Sequence, residues 1–151
     1  MPNTKTCLSF ILFIILSVSS AHAGEIRRYS FGEWCKEIGY SQAVAVDHTL
    51  YLSGIIGNGE TMEESLTVAM EHIDLMLKRF NLDQSHILKE KVYTNDIESL
   101  RKATHIRKEY YKPYFPAAVW IGVTEDKMPG KWVEIELIVH IPDGHLLPEA
   151  G

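Results

Sequence analysis

An α+β fold, one mixed β-sheet with two helices packed on one face, is what this 151-residue sequence predicts, and three observations carry it. Residues 132–141 alternate without error. Val133, Ile135, Leu137, Val139 and Ile141 fall on one side, and Trp132, Glu134, Glu136, Ile138 and His140 on the other, which is a strand with one buried face. Met62, Leu66, Ala69, Ile73, Met76, Leu77 and Phe80 recur at spacings of three and four, which is one face of a helix. Residues 42–54 are rich in Ala, Val, Leu and Tyr and are interrupted by Asp47-His48, which reads as a hairpin.

The elements follow in chain order. Residues 1–23 combine Lys5, an apolar run of about eleven residues from Leu8 to Val18, and the small-x-small triplet Ala21-His22-Ala23. The run is too short to span a bilayer, so the segment is expected to be a secretory signal cleaved before Gly24, with a periplasmic or secreted product that keeps no membrane anchor. The domain is expected over residues 24–141. After the hairpin, Gly57-Asn58-Gly59 predicts a turn. Thr61 and Glu64 form a capping box that opens the first helix, which should end near Asn81. Ile87–Thr94 reads as a strand. Asp96 is placed to cap a second helix running to about Tyr111, with Leu100, Ala103 and Tyr110 on its inner stripe, and Pro113 and Pro116 end it. A strand over 117–123, a turn over 126–131 and the alternating strand complete the domain. Residues 142–151 are expected to form a loosely held polar tail.

Composition narrows the function. Without residues 1–23 the chain keeps 128 residues, enough for one core, and its formal charge moves from −5 to −6 as Lys5 departs. An acidic chain with no basic stripe does not match nucleic acid. Cys35 is then the only cysteine, so no internal disulfide can form, and it reads as a small buried side chain rather than a nucleophile. The histidines are scattered and show no metal-ligand spacing, and no phosphate-binding glycine loop occurs. No metal and no cofactor are expected.

Three segments carry a resemblance. Tyr40-Ser41-Gln42-Ala43-Val44 with Tyr51-Leu52-Ser53-Gly54, then Phe115-Pro116-Ala117-Ala118, then Val133-Glu134-Ile135-Glu136 resemble, in order and spacing, the RidA/YjgF family of imine and enamine deaminases. The resemblance implies a chorismate-mutase-like subunit and a homotrimer with small-molecule clefts at the subunit contacts. It implies that Glu134 positions the hydrolytic water and shuttles its proton, that Tyr40 lines the cleft, and that Ser53 and Gly54 form a cleft wall. From spacing alone, Glu134 and Glu136 point the same way and either hold a water between them or make a structural pair with backbone or lysine; both readings stay open. Where the family carries glutamine this chain has Ile55. Where the family carries the arginine that binds the substrate's carboxylate, it has Ala118.

By alternation Ala118 is expected to share the cleft face with Trp120, leaving Val119 and Ile121 beneath the helices. A methyl group cannot replace a two-pronged guanidinium grip, whose loss typically costs about 2–5 kcal/mol. Ile55, Ala118 and Trp120 together predict a more apolar cleft, with Arg107, Lys108 or Lys131 as candidate substitute cations. Two readings follow: an imine or enamine hydrolase of altered substrate preference, or a non-catalytic trimer that binds a small apolar ligand. Some members of the family have been described as ribonucleases, a reading that the acidic charge opposes.

Overall fold

The computed structural model describes residues 24–124 and 129–150. The expected signal segment and residues 126–128 of the expected turn lie outside them. Among the described residues the strands and α-helices run β1 (Arg27–Tyr29), α1 (Glu33–Ile38), β2 (Ala43–Val46), β3 (Thr49–Gly59), α2 (Met62–Arg79), β4 (Ile87–Thr94), α3 (Ile97–Lys102), α4 (Thr104–Tyr111), β5 (Ala117–Gly122) and β6 (Lys131–His140). One sheet holds all six strands in the order β1-β2-β3-β6-β4-β5. Every pairing is antiparallel except β4–β5, which is parallel and is bridged by α3 and α4. The architecture is the expected α+β layer.

The core forms where two periodicities meet. Val133, Ile135, Leu137, Val139 and Ile141 are all buried under the helices, as their alternation requires, and Met62, Leu66, Ala69, Ile73 and Leu77 of α2, with Phe80 just after it, meet them. Burying one such aliphatic side chain contributes roughly 1.5–3 kcal/mol, so this stripe-on-strand contact dominates the fold. The Thr61–Glu64 capping box is present in both directions and fixes where α2 begins. Asp47, with a φ of 49°, and His48 make the hairpin turn between β2 and β3.

Four expectations are corrected. Gly57-Asn58-Gly59 is not a turn but the end of β3, paired with Val133, Trp132 and Lys131. The glycine serves packing instead: a Cβ on Gly57 would lie 2.1 Å from the Ser65 carbonyl oxygen, so α2 rests directly on the strand backbone. The second helix is broken into α3 and α4 at Ala103, which is fully buried. Trp132, expected on the open face, is buried, and its indole N–H has no hydrogen-bond partner among the described residues. The tail is held at three points: His145 Nε2 donates to the Phe80 carbonyl at 2.7 Å, the Tyr29 hydroxyl donates to the Pro148 carbonyl at 3.2 Å, and Leu147 packs against the core. Residues 24–39 also contribute β1 and α1, which no periodicity announced.

Candidate functional site

The site grows from an irregularity in β3. Leu52 pairs with Leu137 and Ile55 with Ile135, so β3 takes three steps where β6 takes two, and Ser53 and Gly54 form a bulge. The bulge switches the alternation of β3, keeping Leu50, Leu52 and Ile55 on the helix side while Tyr51 and Ile56 stay outside. Into this bulge lies Glu134. A Cβ on Gly54 would stand 2.0 Å from Glu134 Oε1 and 2.7 Å from both Cγ and Cδ, so the glutamate side chain lies flat against the glycine backbone. Only a residue without a side chain leaves that space.

Tyr40 is delivered to the same place by α1 and the turn after it. Its N–H donates to the Cys35 carbonyl at 2.7 Å, and its carbonyl accepts from the Ser30 hydroxyl at 3.1 Å. Gln42 secures the segment by accepting from the Phe31 N–H at 2.7 Å and from the buried Cys35 thiol at 3.3 Å. Trp34 stacks on the Tyr40 ring at 5.4 Å between centroids. The Ser53 hydroxyl donates to the Ser41 carbonyl at 2.8 Å, tying the bulge to the segment beside Tyr40.

These parts enclose a cavity of about 460 Å³ lined by Tyr40, Val44, Tyr51, Ser53, Gly54, Lys89, Lys91, Glu134, Glu136 and Ile138 among others. Glu136 is engaged by Lys91, whose Nζ donates to Oε2 at 2.8 Å. That hydrogen bond, with a further one to Tyr93, raises the Lys91 pKa and keeps it an ammonium through neutral pH. Glu136 therefore takes the structural role left open by the spacing, and Glu134 is the carboxylate seated on the bulge. A second groove of about 470 Å³ shares Tyr40, Ser53 and Gly54 and continues to Trp34, Ile56, His72, Leu75 and Arg79. Among the described residues no three histidines, cysteines or acids gather as metal ligands.

Of the residues the sequence singled out, Tyr40, Ser53, Gly54 and Glu134 converge on the cavity. Ile55 does not line it; it is 8% exposed, packs opposite Ile135 in the core, and reaches only the second groove. The sheet face expected for Ala118 and Trp120 is corrected. In the parallel register Ala118 lies opposite Glu90 and Trp120 opposite Val92, both helix-side residues, so Val119 and Ile121 face outward instead. Alternation says which residues of a strand travel together, but the register against β4 decides which face they take. Trp120 Nε1 donates to Glu90 Oε1 at 3.3 Å, and Arg107 of α4 pairs with the same oxygen of this fully buried carboxylate. Arg107 is thus committed beneath the sheet, and Lys131 is committed to Asp96 at 2.7 Å. Neither they nor Lys108 line the cavity. The cations that do, Lys89 and Lys91, were missed, although the outward alternation Lys89, Lys91, Tyr93 on a strand already recognised was a usable signal.

Fold and cavity together define the class: a small α+β protein with a carboxylate seated on a β-bulge at the wall of an open-face cleft. Residues 35–141 match the family described as Endoribonuclease L-PSP, and the chain belongs to this family, RidA/YjgF. It is 34% identical over 109 residues to the 2-iminobutanoate/2-iminopropanoate deaminase of Homo sapiens, covering 66% of this chain and 77% of that one. It is 33% identical over 108 residues to a RutC family protein of Aquifex aeolicus, covering 66% and 86% respectively. A YjgF-family crystal structure from Neisseria meningitidis superposes with a TM-score of 0.69 at 24% identity, covering 82% of this chain and all of that one. One from Mycobacterium tuberculosis gives 0.68 at 22% identity, covering 78% of this chain and all of that one.

Proposed function

We propose that this protein hydrolyses reactive imines or enamines to a carbonyl compound and ammonia, with a substrate preference altered from that of its named relatives. The carrying observation is the seating of Glu134 on Gly54 at the cavity wall. Water adds to the imine carbon while Glu134 relays one of its protons to the nitrogen, and the same carboxylate then carries the proton of the new hydroxyl to that nitrogen, so that the C=O forms as the C–N bond breaks and ammonia leaves. Such hydrolysis already proceeds in water, so positioning and one proton shuttle suffice. The deaminase named in human supports the reaction class, and a cavity lined by Lys89 and Lys91 rather than by an arginine supports the altered preference.

The working form in this reading is an exported homotrimer whose clefts are completed at subunit contacts. Its support is the apolar character of the outward face, where Tyr51, Ile56 and Val119 are each at least 40% exposed. The acidic charge speaks against nucleic acid as substrate. A non-catalytic trimer that binds a small apolar ligand is the second reading, favoured by the apolar lining that Val44, Tyr51 and Ile138 give the cavity.

The test supplies purified protein with small imines made in situ by an amine or amino-acid oxidase, with and without a carboxylate, and follows ammonia release. Wild type should accelerate hydrolysis of at least one of them. Glu134→Gln should lower that turnover by about 10²–10⁴-fold while leaving the assembly unchanged by light scattering. A wild type that accelerates none of them moves the protein to the binding reading.

A further inference from the structure

The open sheet face carries its charges in a sequence of rungs. Tyr93 lies opposite Glu134, Lys91 opposite Glu136, and Lys89 opposite Ile138, which is itself opposite Tyr51. At about 3.3 Å per residue, the rung of Lys89 stands about 13 Å along the strands from that of Glu134. The middle rung neutralises itself through the 2.8 Å contact of Lys91 with Glu136. Lys89 differs from the other cations near the site. It lines the cavity, is exposed, has apolar side chains across from it, and makes no ion pair among the described residues.

We propose that Lys89 is the specificity-determining cation of the cleft, and that the preferred substrate is an imine whose carboxylate is separated from the imine carbon by two or three carbons. This rests on the hydrolase reading above. A carboxylate bonded directly to the imine carbon lies over the middle rung, where Glu136 repels it and the Lys91 ammonium is already engaged. A carboxylate two methylenes away spans about 5 Å from the imine carbon; a water contact at one end and a lysine contact at the other add about 3 Å each, about 11 Å together, and the flexible Lys89 side chain covers the remaining distance of about 2 Å between the rungs. In the reaction of 4-iminobutanoate, water adds, ammonia leaves and 4-oxobutanoate forms, with the carboxylate unchanged.

The experiment pairs a binding probe with turnover, on wild type, Lys89→Gln and Lys89→Arg. The binding probes are 4-oxopentanoate, uncharged 2-pentanone and 2-oxopropanoate, titrated by NMR; the imines are 4-iminobutanoate, 2-iminopropanoate and the uncharged imine of butylamine. Wild type should bind 4-oxopentanoate about tenfold tighter than either other probe. Lys89→Gln should erase that margin and raise KM for 4-iminobutanoate with kcat little changed, should leave the uncharged imine unaffected, and Lys89→Arg should restore the preference. Unchanged affinity and preference in Lys89→Gln, with hydrolysis intact, overturns the assignment of Lys89 and leaves the hydrolase reading standing. Lys89-dependent binding of 4-oxopentanoate with no turnover of any imine upholds the cation and overturns the hydrolase.

Discussion

A missing methyl group at Gly54 gives the Glu134 carboxylate its seat. The φ of Gly54 lies outside the left-handed region, so alanine is tolerated by the backbone there, and the three nearest atoms that its Cβ would meet all belong to Glu134. Gly54→Ala should therefore lower turnover on the order of 100-fold through displacement of the carboxylate, with a urea midpoint close to wild type. A large loss of stability with normal turnover in the folded fraction would show that the contact is structural only. The sequence made Tyr40, Ser53, Gly54 and Glu134 legible because each belongs to one of the contiguous motif segments that carry the family resemblance. It misassigned Ile55 because the bulge shifts the alternation by one residue, and the bulge follows from pairing with β6. Ala118 and Trp120 went to the wrong face because parity within β5 carries no reference to the rest of the sheet.

Among the elements, the opening of α3 joins a cap to a long-range ion pair. Asp96 accepts from the Ser99 N–H at 3.0 Å and from its hydroxyl at 2.8 Å, and Lys131 at the start of β6 donates to it at 2.7 Å. The lysine contact foremost, then the two from Ser99, hold the carboxyl well below the usual carboxylate range. A depressed folded pKa means that the contribution is fully present above the unfolded value of about 3.9 and is lost as pH falls through the folded one. Asp96→Ala should cost about 1 kcal/mol at pH 7 by urea unfolding, and the gap to wild type should narrow below pH 4. A gap that is constant across that range would remove the ionised form from the account. Helix α2 was readable almost to the residue because its cap, its stripe and its end agree. The break at Ala103 was not, because the apolar spacing continues across it.

For the whole molecule, residues 142–150 close over the seam between β1 and the end of α2, where Tyr29 and Phe80 meet edge to face at 4.9 Å. Truncation after Ile141 removes the His145 and Tyr29 hydrogen bonds and the packing of Leu147, and should cost about 1–3 kcal/mol, read as a lowered urea midpoint with an unchanged β-rich circular dichroism spectrum. An unchanged midpoint would return the tail to the loosely held role that its composition suggested. By itself the sequence determined the layer architecture, the hairpin, the long helix, the buried side of β6 and the family, because each is written in local periodicity, capping chemistry or contiguous motifs. Only the tertiary structure decided that Glu134 rests on Gly54, that Lys91 neutralises Glu136, that Lys89 faces the cavity and that Arg107 is sequestered by Glu90. Those relations join residues about 17 to 80 positions apart in the chain, and they depend on strand register and on one bulge, neither of which local patterning encodes.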